Sequence, residues 1–313
     1  MTSIKIDNLS KHYGKIIALD KLNLEVPDNI VFGFLGPNGA GKTTTVKLLT
    51  GFSRPTSGDA WVADEKVGDG NYLLNAKTGL LPDVPAFYNW MTGREFLYFV
   101  GELYDIPSGE LKSRVGELLE MVELIEAGRR RIGGYSRGMR QRLGIAQALI
   151  NRPRVLFMDE PTSALDPIGR REVLELILRL RESATIFMST HILSDVERVC
   201  DMVGIINQGK LLTVSSVEAL RHKYTHSAFE MEFIEDARPF AESLNQIPWL
   251  TEPKIVIEGG TPILRVSAVD IDYARRELPR LISESGLTLT RYELSQPSLE
   301  EIFINIMESE NNR

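Results

Sequence analysis

Residues 36–43 read Gly-Pro-Asn-Gly-Ala-Gly-Lys-Thr, and this run constrains the chain more than any other. It follows the apolar run Ile30–Leu35 and opens the helix-like segment Lys42–Leu49. A buried strand, a glycine-rich turn and a helix N-terminus in that order let backbone N–H groups curl around phosphate oxygens, with the helix end adding a field that favours negative charge. Lys42 then reaches the β- and γ-phosphates, and the Thr43 hydroxyl can ligate Mg²⁺. The expected fold is therefore α/β, and the expected ligand is a nucleoside triphosphate with Mg²⁺.

A second run fits the first. Val155–Met158 is uniformly apolar, as a strand buried on both faces would be, and it ends in Asp159-Glu160. Ligands of open α/β sheets bind at the carboxyl ends of the strands, where these two acids would sit. Asp159 is a candidate for the Mg²⁺ shell and Glu160 for the general base that polarises an attacking water. Alone, two acids after a strand are often just solvated charges. Here Pro161-Thr162-Ser163-Ala164-Leu165-Asp166 follows.

The rest of the first two-thirds alternates strand-like and helix-like segments. Ile4–Leu9, Leu19–Val26 and Ala184–Ser189 read as strands; Glu110–Leu124, Met139–Ile150, Glu172–Leu180 and Leu193–Cys200 read as helices. Such alternation predicts a parallel sheet. After residue 221 the pattern changes. Phe229, Met231 and Phe233 alternate with Glu230 and Glu232 as in a half-buried strand, and Phe240–Asn245 is helical. Lys254–Glu258 and Ile263–Ser267 form a hairpin about Gly259-Gly260-Thr261-Pro262. Ile271–Ser285 is a helix, Leu287–Leu294 a strand, and Ser298–Met307 a last helix with Ser298 as its cap. The order β-α-β-β-α-β is ferredoxin-like.

Taken in order, these motifs resemble the nucleotide-binding subunit of an ABC transporter over residues 1–220. Gly36–Thr44 (Gly36, Pro37, Asn38, Gly39, Ala40, Gly41, Lys42, Thr43 and Thr44) is similar to that family's phosphate loop. Tyr13 stands where the family stacks an aromatic ring on adenine. Tyr135-Ser136-Arg137-Gly138-Met139 resembles the signature motif, Ser163–Asp166 the D-loop, and His191 the switch histidine that senses the γ-phosphate. The resemblance implies a P-loop NTPase core of ABC type with a helical subdomain about residues 84–152. Residues 1–221 would be the nucleotide-binding domain and 222–313 a small α+β, ferredoxin-like accessory domain. It also implies that Ser136 and Gly138 meet the γ-phosphate held by a second subunit, so that ATP joins a homodimer or a heterodimer with a related subunit. Catalysis would rest on Glu160 and His191. Ser136 is by itself an ordinary helix cap, and His191 an ordinary residue after a strand; their place in the series lifts them.

Two departures stand out. The family's Q-loop glutamine is replaced by Asp83, after Leu80-Leu81-Pro82, which can accept a hydrogen bond from Mg²⁺-bound water but cannot donate one from an amide. The signature has Arg137 and Met139 in place of glycine and glutamine, a form similar to the bacterial exporter-like branch.

Beyond Asp83, Phe96, Phe99 and Leu103 are expected as core of the helical subdomain, and Phe87, Tyr88 or Trp90 as wall of a groove that in the family takes a short helix of a transmembrane permease subunit. No run approaches the length of a membrane span, and the first residues lack a secretory pattern, so the chain is expected in the cytoplasm, peripheral on the inner membrane face through the permease. With 36 basic and 43 acidic residues the chain carries a net charge of −7, and residues 222–313 hold 9 basic and 16 acidic, the whole excess. Nucleic acid is therefore not expected as partner, despite Arg129-Arg130-Arg131. A soluble ABC-type ATPase acting on a ribosome or nucleic-acid complex is the alternative. A small-molecule kinase would leave Ser136, Asp166 and His191 unexplained. The single cysteine, Cys200, excludes an intrachain disulfide.

Overall fold

A computed structural model describes residues 2–311 apart from 69, 164, 224–227, 259 and 296–298. The chain divides into two compact units, Met1–Val217 and Glu218–Arg313.

In the first unit the chain runs β1 (Thr2–Tyr13), β2 (Ile16–Pro27), β3 (Val31–Leu35), α1 (Lys42–Leu49), β4 (Ser57–Val62), β5 (Glu65–Lys66), α2 (Tyr72–Lys77) and β6 (Thr78–Leu81). It continues through α3 (Gly93–Leu103), α4 (Ser108–Met121), α5 (Arg137–Ala148), β7 (Val155–Asp159), α6 (Pro167–Leu180), β8 (Thr185–Thr190), α7 (Leu193–Val199), β9 (Met202–Asn207) and β10 (Lys210–Ser216). Helix α8 (Val217–Lys223) follows.

The six-stranded sheet has the order β10-β9-β3-β8-β7-β6, parallel from β9 to β6 with β10 antiparallel at the edge. Strands β3, β7 and β8 are buried at every position, which explains the apolar runs Val31–Leu35, Val155–Met158 and Ile186–Met188 at their centres. Phe187 anchors them: its ring lies 5.5 Å from Phe32, 5.3 Å from Phe34 and 5.6 Å from Phe157. Each such ring withdraws about 1.5–3 kcal/mol worth of apolar surface from water.

The expectation of one parallel sheet is corrected at β1 and β2, which with β4 and β5 form a separate antiparallel sheet of order β2-β1-β4-β5. The connection between β1 and β2 is a tight turn at Gly14, φ 60°, and a turn that short can only reverse the chain. The expected helices hold with shifted ends. Helix α4 stops at Met121 with Val122 as its C-cap; α5 and α6 start earlier than read, at Arg137 and Pro167, because Ser136 and Asp166 cap them.

The second unit contains β11 (Ala228–Phe233), α9 (Arg238–Leu244), β12 (Leu250–Glu258), β13 (Thr261–Ala268), α10 (Ile271–Ser285), β14 (Leu289–Ser295) and α11 (Leu299–Asn311). Its sheet order is β12-β13-β11-β14, all pairs antiparallel. This is the split β-α-β arrangement that the element order implies. Phe229, Met231, Leu264 and Val266 form its core with Leu278 and Ile282 of α10. The hairpin turn is shorter than read: Glu258 pairs with Thr261 and Pro262 with Ile257, and Gly260 has φ 89°. Pro262 is tolerated near the start of β13, before the pairing with β11 begins. Glu230 is also more enclosed than a half-buried strand suggests, at 3% exposure; Arg265 and Arg291 neutralise it at 2.6 and 2.9 Å. Ser298, read as the cap of the last helix, lies outside the described residues.

Candidate active site

The glycine-rich turn lies between β3 and α1, and its backbone requires glycine. At Gly36 a Cβ would stand 2.3 Å from Ile206 O; at Gly41, φ 111°, it would stand 2.6 Å from Ala18 O. Both clashes are with backbone, so the loop can keep its tight curl only without side chains there. The cradle that results suits phosphate oxygens.

Lys42 begins α1 and is only 6% exposed. Its Nζ donates to Gly36 O at 2.7 Å and to Pro37 O at 3.2 Å, and lies 3.3 Å from Glu160 Oε1. A buried ammonium must be paired and hydrogen-bonded, and here the loop carbonyls and the carboxylate do both.

Glu160 follows β7, and its backbone is left-handed at φ 48°. For a residue with a Cβ that conformation costs on the order of 1–3 kcal/mol. Its N–H donates to Ser189 O at 3.0 Å, which holds the turn against β8. The turn aims one carboxylate oxygen at Lys42 and the other at His191, whose Nδ1 lies 2.8 Å from Oε2. In the tautomer that carries the hydrogen on Nδ1, the imidazole donates to this carboxylate. Asp159, 4% exposed, accepts from Ser189 Oγ. Thr43 and Asp159 offer a hydroxyl and a carboxylate, the hard oxygen donors that Mg²⁺ takes.

The remaining candidates are placed as follows. Tyr13 ends β1 and is half-exposed, with Lys11 Nζ 4.8 Å from the ring centroid. Ser136 caps α5 and accepts from Met139 N–H at 3.2 Å. At Gly138 the nearest atom to a Cβ would be Leu165 Cδ2 at 4.0 Å, so its own fold does not demand a glycine. That open face is available to an approaching ligand. Asp83 follows β6, and its carboxylate accepts from Ser163 Oγ at 3.3 Å, tying the two post-strand segments together.

A groove with a cavity volume of about 590 Å³ opens between α2, β6 and α3. Phe52, Tyr72, Phe99, Leu103 and Tyr104 wall it, and burial pushes the Tyr104 phenol up. The expected wall is corrected here. Phe87 packs edge-on against Phe96 at 5.1 Å, Tyr88 meets Phe99 at 5.7 Å, and Trp90 meets Tyr88 at 6.0 Å; none of the three lines the cavity. Leu103, expected in the core, is exposed on the groove. Phe52 and Tyr72 escaped the sequence reading because they stand in short segments without a clear period.

Comparison with known proteins agrees with this arrangement. The sequence profile described as ABC transporter matches residues 19–163. The chain is 38% identical over 306 residues to YxlF of Bacillus subtilis, an uncharacterized ABC transporter ATP-binding protein, covering 97% of this chain and 99% of that one. It is 35% identical over 308 residues to BcrA of Bacillus licheniformis, a bacitracin transport ATP-binding protein, covering 98% and 97%. A solved structure of an ATP-binding subunit of an ABC transporter superposes with a TM-score of 0.65 at 27% identity, over 71% of this chain and 93% of that one. The cradle at Gly36–Thr43, the acid pair after β7 and these likenesses converge: the chain belongs to the family of ABC transporter ATP-binding proteins and is an ABC-type ATPase.

Proposed function

We propose that this cassette pairs with a second copy, or with a related subunit, around two molecules of Mg-ATP, and that hydrolysis drives a separate transmembrane permease that exports its cargo. The observation that carries the reading is the Glu160 carboxylate held between Lys42 and His191 at the carboxyl edge of the parallel sheet. Lys42 exchanges its loop carbonyls for phosphate oxygens when ATP enters. Thr43 and Asp159 would hold Mg²⁺, which neutralises charge on the phosphates. Glu160 takes the proton of the attacking water, and His191, through Nδ1, fixes the carboxylate that does so. Tyr13 offers its ring to adenine. Ser136 and Gly138 present the start of α5 to the nucleotide of the other subunit.

The groove walled by Phe52, Tyr72, Phe99 and Leu103 suits a short apolar helix of the permease. The signature form Tyr135-Ser136-Arg137-Gly138-Met139 supports the outward direction, and the bacitracin-transport relative supports a transport role. Among the described residues no helix is long and apolar enough to cross a membrane, so the spanning part of the machine would be another chain. Residues 222–313 would form an accessory domain with a core of its own.

Purification from detergent-solubilised membranes tests the proposal. The wild-type chain should bring down a multi-span membrane protein. Leu103→Glu, which puts a charge on an exposed groove residue, should lose that protein while the isolated chain still hydrolyses ATP. A wild-type chain that recovers ribosomes or DNA in place of a membrane protein would overturn it.

A further inference from the structure

The segment that leaves β7 immediately beyond Glu160 is gripped by two buried side chains. Gln141 of α5, 6% exposed, donates from Nε2 to Pro161 O at 2.9 Å. Thr162, 2% exposed, donates from Oγ1 to Asp195 Oδ2. Asp195 stands on α7 with no exposed surface, and its other oxygen accepts from Arg170 Nε of α6 at 2.6 Å. Arg170 also donates to Ser194 Oγ at 2.7 Å.

A fully buried carboxylate on a helix whose other buried residues are Val196 and Val199 is costly, because it must be desolvated and every partner supplied. What it joins is specific. Thr162 is two residues past Glu160, and Asp195 is four residues past His191. The turns after β7 and β8 are therefore tied twice, by Glu160 with His191 at 2.8 Å and by Thr162 with Asp195. One tie leaves the two turns able to pivot about it; two ties fix their relative orientation. Arg170, in the first turns of α6, extends the same clasp to the far end of the segment that Asp166 closes by capping that helix.

We propose that Asp195 is a positioning residue for hydrolysis: through Thr162 and Arg170 it clasps the 160–166 segment to the 191–195 segment and so keeps Glu160 and His191 in register. The inference rests on the reading of Glu160 as general base. A displacement of about 1 Å at a reacting group can cost about a hundredfold in rate, so the clasp acts on turnover and not on ATP binding.

The test compares Thr162→Val, Thr162→Ser and Asp195→Asn in the full chain, with Glu160→Gln alongside. ATP turnover, nucleotide affinity and melting temperature are measured for each. Thr162→Val keeps the volume and removes only the hydroxyl, so it remains informative even where Asp195→Asn fails to fold. It should lower kcat by about ten- to a hundredfold with nucleotide Kd within about twofold of wild type, and Thr162→Ser, which restores the donor, should recover most of the rate. Wild-type kcat in Thr162→Val, parallel loss of kcat and affinity, or a serine variant no better than the valine one would each overturn the clasp. Wild-type turnover by Glu160→Gln would instead overturn the general-base reading, and this inference with it.

Discussion

Glu160 Oε2 and His191 Nδ1 lie 2.8 Å apart across 31 positions of sequence. The parallel register explains the meeting. Asp159 pairs with Ser189 in the neighbouring strands, so the residues just beyond the two strand ends face one another. The left-handed turn at Glu160 then brings its carboxylate round to the histidine and to Lys42. The meeting of carboxylate, ammonium and imidazole is thus a consequence of sheet order and one strained residue.

Lys42→Ala should weaken nucleotide binding. In the proposed site the ammonium would be the point charge for the β- and γ-phosphates, while the loop would supply backbone contacts. Losing one charge-assisted contact costs about 1.5–3 kcal/mol, which is about ten- to a hundredfold in Kd. Titration calorimetry with ATP on the purified variant measures this, and an unchanged Kd would remove Lys42 from the phosphate site.

Ser136→Arg should bind ATP as a monomer almost as wild type does yet fail to form the ATP-bound dimer. Ser136 is exposed and, among the described residues, bonds its own helix, so the monomer loses about 1 kcal/mol of capping and little else. In the dimer the arginine would occupy the room meant for the other subunit's γ-phosphate. Light scattering with ATP under non-hydrolysing conditions reports the mass; a wild-type dimer fraction would contradict the shared site.

Cys200 should resist thiol reagents in the native protein. Cys200 is half-buried, and desolvation of its sulfur, with Asp201 and Asp195 nearby, pushes the thiol above the ordinary range, so raising the pH to 8 or 9 creates little thiolate. Its Sγ packs where a Cβ on Gly33 would lie only 2.9 Å away. Labelling by a chromogenic disulfide should be slow until denaturant is added; rapid native labelling would show the sulfur to be accessible.

Much of the glycine-rich turn was legible because its signals are local. Gly36, Gly41 and Lys42 are neighbours in sequence, and the strand and helix that flank them carry strong composition signals. The acid pair Asp159-Glu160 was legible for the same reason. The ferredoxin-like order of the second unit could be read because each of its elements has a clean period, and β11 through β14 pair in the order that topology demands. What escaped reading depends on contacts between distant segments. Asp195 sits among Val196 and Val199 on a short helix, where nothing marks it as wholly buried or as the partner of Thr162 and Arg170. Leu103 fits the helical period of α3, yet it faces the groove because the period drifts off the buried stripe at the helix end. The division of strands between two sheets was equally hidden, since β1 and β2 look like any other strands until the turn at Gly14 pairs them with each other.

If Glu160 is the base, Glu160→Gln is the decisive substitution. The amide keeps the size of the side chain, but it loses the carboxylate that polarises water. Asp159 and Thr43 are untouched, so ATP should bind as before. Single-turnover hydrolysis, followed together with the mass of the complex, is the measurement. The rate should fall by about a hundred- to ten-thousandfold, with the protein accumulating as an ATP-filled dimer. Hydrolysis near the wild-type rate with no dimer accumulating would contradict that role.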